Sequence, residues 1–277
     1  MSCEQVESKL ALNDAVEEAA AEEAFHADMD MEAEGGPGHF HLGHEMRAGF
    51  ILCKDWKSKL PDCATIEESG DSYPKTITIT FGEDCVGRYG QKRNGKMVIE
   101  VSAPLTEEGA TRTVRFEGVA RGDHKMEGLR VIKNIGKNAT GNVVFYVSGT
   151  RTITGEKGTG KHESNGQIEF IAGLDTEDCY DNAFKVTGEA IVTLPNGDTR
   201  TRKITEALVK EADCKHFVSG KIEVDGKRGT ASIDFGNGDC DSKATVIRDG
   251  ESREIDLDNP PKRRGPRGRG HGRGDKE

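Results

Sequence analysis

The chain has 277 residues, a formal net charge of −10, 34% hydrophobic and 5% aromatic residues, and 35 glycines. That length suits one large β domain or two small ones. Abundant glycine with little apolar content suits a twisted antiparallel structure with one wet face better than a parallel sheet covered on both sides. No apolar run of about 18 residues occurs, which excludes a membrane-spanning helix, and the start Met1-Ser2-Cys3-Glu4 lacks the apolar core of a signal peptide.

Charge is unevenly distributed. Met1 to Glu34 holds eleven acidic residues against the single base Lys9, whereas Pro260 to Glu277 holds seven bases against two acids. The two ends therefore say more about partners than the acidic total does. Residues 1–48 read as an acidic tether, helical or disordered. Runs such as Ala15-Val16-Glu17-Glu18-Ala19 favour helix, but Val6, Leu10, Val16, Phe25 and Met29 form only a thin apolar stripe, so a solvated segment is expected. Gly35-Gly36-Pro37-Gly38 ends it. His39, His41 and His44 follow in a glycine-flanked loop that offers neither a fixed backbone nor a fourth ligand, so no designed metal site is expected there.

Residues 49–258 read as an antiparallel β body. Ile77, Ile79 and Phe81 alternate with threonines, and Val114 and Phe116 with arginines. The same period of two recurs from Met97 through Ile255 and Leu257. Turn signals separate the runs at Asn94-Gly95, Glu108-Gly109, Asn165-Gly166, Asn196-Gly197, Asp225-Gly226 and Asp249-Gly250. The fold class expected is all-β, a meander forming a sandwich, a barrel or a strongly curved sheet. Two hairpin units, about 62–101 and 213–257, share one phrase. Asp62-Cys63 and Asp213-Cys214 open them; Phe81-Gly82-Glu83-Asp84-Cys85 and Phe235-Gly236-Asn237-Gly238-Asp239-Cys240 close a strand in each. From 259 to 277 the chain becomes a Pro/Arg/Gly tail that cannot bury a core, and disorder is expected.

Seven cysteines are present: Cys3, Cys53, Cys63, Cys85, Cys179, Cys214 and Cys240. An antiparallel hairpin brings the start of its first strand near the end of its second. With a turn at Val224-Asp225-Gly226-Lys227, that places Cys214 beside Cys240. A longer turn through Gly70 to Pro74 places Cys63 beside Cys85, and Cys53 with Cys179 remain by elimination. Three bridges imply an oxidising compartment; free thiols in a cytosolic protein are the alternative. Cys3 reads as the lipid-bearing cysteine of a bacterial lipoprotein whose signal peptide has been removed and replaced by Met1-Ser2; the alternative is a free thiol.

Candidate chemistry is sparse. Asn237, Asp239 and Asp241 have the alternate spacing of calcium ligands, though no glutamate follows at EF-hand spacing, and local turn formation explains them as well. No nucleophile elbow, HExxH, Walker or Rossmann motif occurs, and Gly155 to Lys161 is phosphate-loop-like in composition only. No catalytic residue and no cofactor are expected. Trp56 is the only tryptophan, leaving Tyr73, Tyr89, Tyr146 and Tyr180 as possible sugar contacts. The tail arginines suit anions, but no aromatic is interleaved for base stacking. An envelope protein or an anionic glycan is thus the expected partner, ahead of nucleic acid, with membrane contact by a lipid anchor only.

Tyr73-Pro74-Lys75-Thr76-Ile77-Thr78-Ile79-Thr80-Phe81-Gly82, followed by Gly95-Lys96-Met97-Val98-Ile99, resembles a segment of the predicted all-β lipoproteins of the Bacteroidota cell envelope. Ile233 to Val246 resembles the ending of that group. The resemblance covers about residues 60–257. It implies an envelope lipoprotein with an all-β body, and no established activity. The function expected is a non-enzymatic structural or partner-binding module anchored outside the cytoplasm at the outer membrane. The alternatives are a glycan- or lipid-acting enzyme or carrier with a cleft in a curved sheet, and a nucleic-acid binder using the tail.

Overall fold

The computed structural model describes residues 60–258, apart from 71, 87–91, 122, 175–180 and 228. Among the described residues every regular element is a strand: β1 (Ala64–Glu68), β2 (Lys75–Val86), β3 (Lys92–Val101), β4 (Thr111–Arg121), β5 (His124–Lys137), β6 (Val143–Gly155), β7 (Gly158–Ala172), β8 (Ala183–Thr193), β9 (Thr199–Lys210), β10 (Ser219–Gly226), β11 (Gly229–Asn237), β12 (Lys243–Arg248) and β13 (Glu251–Asp256). Each pairs with its chain neighbours in one 13-stranded sheet ordered β1 to β13. This is the all-β meander that the alternation implies. Among the described residues no ladder joins β1 to β13.

One face carries the core. Ile99, Val114, Phe145, Ile168, Leu208, Ile222 and Val246 are almost fully buried and belong to one apolar cluster that runs from β2 to Leu257. The opposite face is lined by exposed Lys, Glu and Thr, with surface ion pairs such as Lys96–Glu117 at 3.0 Å and Lys221–Glu206 at 2.8 Å. These exposed pairs add little stability. The sheet bends around its inward face where its ladders slip: register shifts fall within β2, β3, β4, β5, β7, β8, β9 and β10.

Two expected turns lie inside strands, one of them at such a slip, between Asn94 and Lys96. Asn94-Gly95 and Asn165-Gly166 lie inside β3 and β7. Gly95 has φ 93°, and a Cβ there would lie 2.3 Å from the Gly118 carbonyl oxygen. At Gly166 a Cβ would lie 2.3 Å from the Thr187 carbonyl oxygen. Glycine permits neighbouring backbones to close in, and the strand continues through it. The β10–β11 turn is also displaced. Asp225 and Gly226 remain in the ladder, facing Thr230 and Gly229, so the chain reverses between Gly226 and Gly229. The Thr230 hydroxyl donates to Asp225 Oδ1 at 2.9 Å, and Gly229 adopts φ 88°. Likewise β2 does not end at Phe81; it runs on to Val86 through a bulge between Phe81 and Cys85.

Candidate functional site

The doubled phrase is a pair of clasps. Cys63 stands one residue before β1, whose Ala64 faces Phe81, and the bulge past Phe81 brings Cys85 back to it. They form a disulfide with a Cα–Cα distance of 5.3 Å. Ser219 faces Asn237, and Gly238 N–H donates to the Val218 carbonyl at 2.8 Å, so the flanking segments stay together and Cys214 bonds Cys240, also at 5.3 Å. Hairpin reasoning and the structure give the same two pairs. Two disulfides point to an oxidising location outside the cytoplasm. Cys3, Cys53 and Cys179 lie outside the described residues, as do the 4–34 segment, the His39–His44 stretch, Trp56, Tyr89, Tyr180 and the tail.

The weak calcium trio is occupied in part with shaping its own loop. Asp241 Oδ1 accepts the Lys243 N–H at 2.9 Å, and the Asp241 N–H donates to the Asp239 carbonyl at 3.1 Å. Among the described residues no group of three His, Cys, Asp or Glu side chains is placed to hold a metal ion. Tyr73 and Tyr146 are exposed, but one precedes β2 and the other sits on β6, four strands away, so they share no platform. Gly155 to Lys161 is a hairpin in which Gly155 faces Gly158.

The least ordinary feature is a set of cations on the inward face. Arg112, Arg130, Arg151 and His162 are 1%, 4%, 5% and 4% exposed, on β4, β5, β6 and β7. Register makes them a diagonal. Arg112 faces Ile132, two residues from Arg130; Arg130 faces Gly149, two residues from Arg151; Arg151 faces His162. Gly128 faces Arg151 as Gly149 faces Arg130, so each long side chain has a bare backbone opposite it to lie across. Arg202 and Arg200 continue the same face on β9, opposite Ala190 and Val192. Arg93, Lys210, His216 and Arg248 are also buried, and no Asp or Glu is among the buried residues described. The diagonal is legible in hindsight: Arg112 is in phase with Val114 and Phe116, Arg130 with Ile132, Arg151 with Ile153, and His162 with Ile168 and Phe170. An arginine in step with apolar residues faces inward.

Behind this region the outer face dips. An open depression of about 290 Å³ is lined by Leu129, Val131, Gly149, Ser164, Ala190, Ile191 and two carboxylates, Glu163 and Glu189, among others. It lies where Gly149, Ser164 and Ala190 put small side chains on the inner side. Glu163 is engaged by Lys161 at 2.8 Å.

Beside the second clasp, His216 is buried and its Nε2 lies 3.0 Å from Asp258 Oδ1, which also accepts from Lys215 Nζ. The hydrogen bond from Lys215, then that from His216, holds the Asp258 carboxyl below its usual range. The contact ties the end of β13 to the segment entering β10 and so serves the clasp.

Comparison with known protein families, with curated proteins and with solved structures finds no match to this chain. The class is therefore defined by the molecule itself: a disulfide-clasped antiparallel β meander with a cationic inner face.

Proposed function

We propose that the chain is a non-enzymatic module of the cell envelope, structural or partner-binding, anchored through Cys3. The observation that carries this reading is the pair of disulfide clasps, Cys63–Cys85 and Cys214–Cys240, at two distant hairpins of one sheet. Bridges of this kind stabilise a secreted sheet by restricting its unfolded chain, and they persist where thiols are not kept reduced. Alkylation of native protein made in an oxidising compartment should leave these four cysteines unmodified until reductant is added. Reaction of all four before reduction would sink the reading. A lipoprotein signal sequence encoded upstream of Met1 and ending at Cys3 is the expected companion finding; an upstream sequence without one would remove the anchor from the proposal.

A glycan-binding or glycan-acting role has one observation in its favour, the outer depression with Glu163 and Glu189 on adjacent strands. Two carboxylates there disfavour an anionic glycan and favour a neutral one. Glu163→Gln with Glu189→Gln should then abolish binding of a neutral oligosaccharide; retention of wild-type affinity removes this second reading.

A further inference from the structure

Each clasp joins an exposed cysteine to a buried one. Cys63 and Cys240 are exposed, whereas Cys85 and Cys214 are buried. A thiol opens a disulfide by attacking one sulfur and expelling the other, so access decides which sulfur is attacked. Cys63 and Cys240 are therefore the open ends. Cys85 stays in the β2–β3 ladder opposite Arg93 and belongs to the apolar core, where a free thiol sits as a small apolar side chain. Cys63 lies just before β1, a strand of five residues paired with β2. Opening the first bridge thus leaves the sheet in place and loosens the chain ahead of β1.

The two open ends differ in charge. Cys240 stands between Asp239 and Asp241, both exposed. Lys243, the nearest base along the chain, is engaged by Glu254 at 3.3 Å. At the first clasp Asp62 precedes Cys63, but the exposed Lys92 faces Val86, whose carbonyl oxygen is 3.7 Å from Cys63 Sγ. An attacking thiolate is negative, and one that carries a second anionic group is more so. Asp239 and Asp241 repel it from Cys240, while Lys92 offsets Asp62 at Cys63.

We propose that Cys63 is a thiol-exchange site: a small anionic monothiol enters there and opens the Cys63–Cys85 bridge, whereas Asp239 and Asp241 shield Cys240. The thiolate attacks Cys63 Sγ. A new S–S bond forms there as the Cys63–Cys85 bond breaks, and the electron pair leaves on Cys85 Sγ, which takes a proton from water. The attacking thiol is oxidised into a mixed disulfide on Cys63, and Cys85 is reduced to a buried thiol. This goes beyond the envelope reading and shares with it only the formed bridges.

The experiment treats the oxidised full chain at low ionic strength with 2-mercaptoethanesulfonate, which is anionic, or with cysteamine, which is cationic. The reaction is quenched, free thiols are alkylated in denaturant, and peptides are mapped by mass. The sulfonate thiol should appear on Cys63 with the alkyl tag on Cys85, and the first bridge should open faster than the second. Cysteamine should narrow that ratio of rates by about 3- to 6-fold, the effect of one charge some 4–6 Å away in water. Salt at about 0.5 M should remove most of the difference between the two thiols. Asp239→Asn with Asp241→Asn should narrow the ratio for the sulfonate thiol and change it less for cysteamine; an amide oxygen at 241 can still accept the Lys243 N–H, so the loop is kept. After opening, β1 amides should exchange faster while those of Cys85 and Arg93 hold. Adducts on Cys85, faster opening of the second bridge by the sulfonate thiol, the same ratio with both thiols, or a ratio unmoved by the Asn pair would overturn the proposal and leave the envelope reading standing. Absence of the bridges before any thiol is added would remove both.

Discussion

Two patches share the inward side of β5 to β8, and they are held in different ways. Toward one end, Phe145, Phe170 and Phe184 pack in sequence, Phe145 on Phe170 edge-to-face at 5.6 Å and Phe170 on Phe184 at 6.1 Å, with Ile168, Val186 and Leu208 around them. Toward the other, Arg130, Arg151 and His162 occupy equivalent inward positions. The line between them is marked on β6, β7 and β8 by Gly149, Gly166 and Gly188, which occupy inward positions on successive strands. Backbone, alternation and register are common to both patches. The aromatic patch supplies its own stability through burial and ring contacts. The cationic patch can be buried only with opposite charge in place.

The strongest way to break this comparison is at Phe170, which touches both other rings. Phe170→Ala should cost about 3–5 kcal/mol in denaturant unfolding. It should expose amides of β6 to β8 at the aromatic end before those near Arg151. A loss below about 1 kcal/mol would mean that the rings are not the organising contact.

Next come the clasps, which lie on other strands than the two patches. The bridges close 22 and 26 residues, so opening them should have similar costs, about 2–4 kcal/mol each. Cys63→Ala with Cys85→Ala, and Cys214→Ala with Cys240→Ala, should lower the denaturant midpoint by comparable amounts. The relative exchange of the two patches should not change. If one pair alone abolishes folding, that hairpin does more than close a loop.

Within the cationic patch, opposite Arg151, Gly128 has φ 145°, and a Cβ there would lie 2.2 Å from the Thr150 carbonyl oxygen. Gly128→Ala must push β5 from β6 beside Arg151, at about 1–3 kcal/mol. Its effect should be local to the cationic end, read as faster exchange around Arg151 with the aromatic amides unchanged. Uniform acceleration across the sheet would show that the two patches do not behave separately.

How far the sequence discloses this arrangement depends on which interactions are local. Alternation of Ile77, Ile79 and Phe81 is a property of one strand, and it announces both the strand and its inward face. The clasps follow from hairpin proximity, which needs only neighbouring strands. Asn94-Gly95 and Asn165-Gly166 mislead because a hairpin glycine and a bend glycine both tolerate what other residues cannot. What distinguishes them is a carbonyl on the next strand, Gly118 for one and Thr187 for the other, and no local pattern records it. The cationic diagonal is hidden in another way. The phase of each arginine is local, but the alignment of Arg112, Arg130, Arg151 and His162 depends on three successive registers, two of which are interrupted by bulges that no single strand's pattern records.

The smallest predicted effect lies on the outer side of the aromatic end. Asn138 Oδ1 accepts the Thr140 and Asn142 N–H groups at 3.1 and 3.0 Å and shapes the β5–β6 turn, and Asn142 Nδ2 then donates to Glu169 Oε1 at 2.7 Å. That bond, with a contribution from Asn138, lowers the Glu169 pKa below its ordinary value, with burial opposing. A carboxyl whose folded pKa is depressed adds stability that is present above its unfolded pKa. The contribution is lost as pH falls through the folded value. Glu169→Gln should therefore flatten the acid side of the Tm profile slightly, from the ordinary glutamate value of about 4.3 downward. Near neutral pH it should cost little, because the amide oxygen can still accept from Asn142. The change should be confined to the aromatic end. Faster exchange around Arg151 in the Gln variant would mean that the two patches communicate through β7, where Glu169 and His162 lie on one strand.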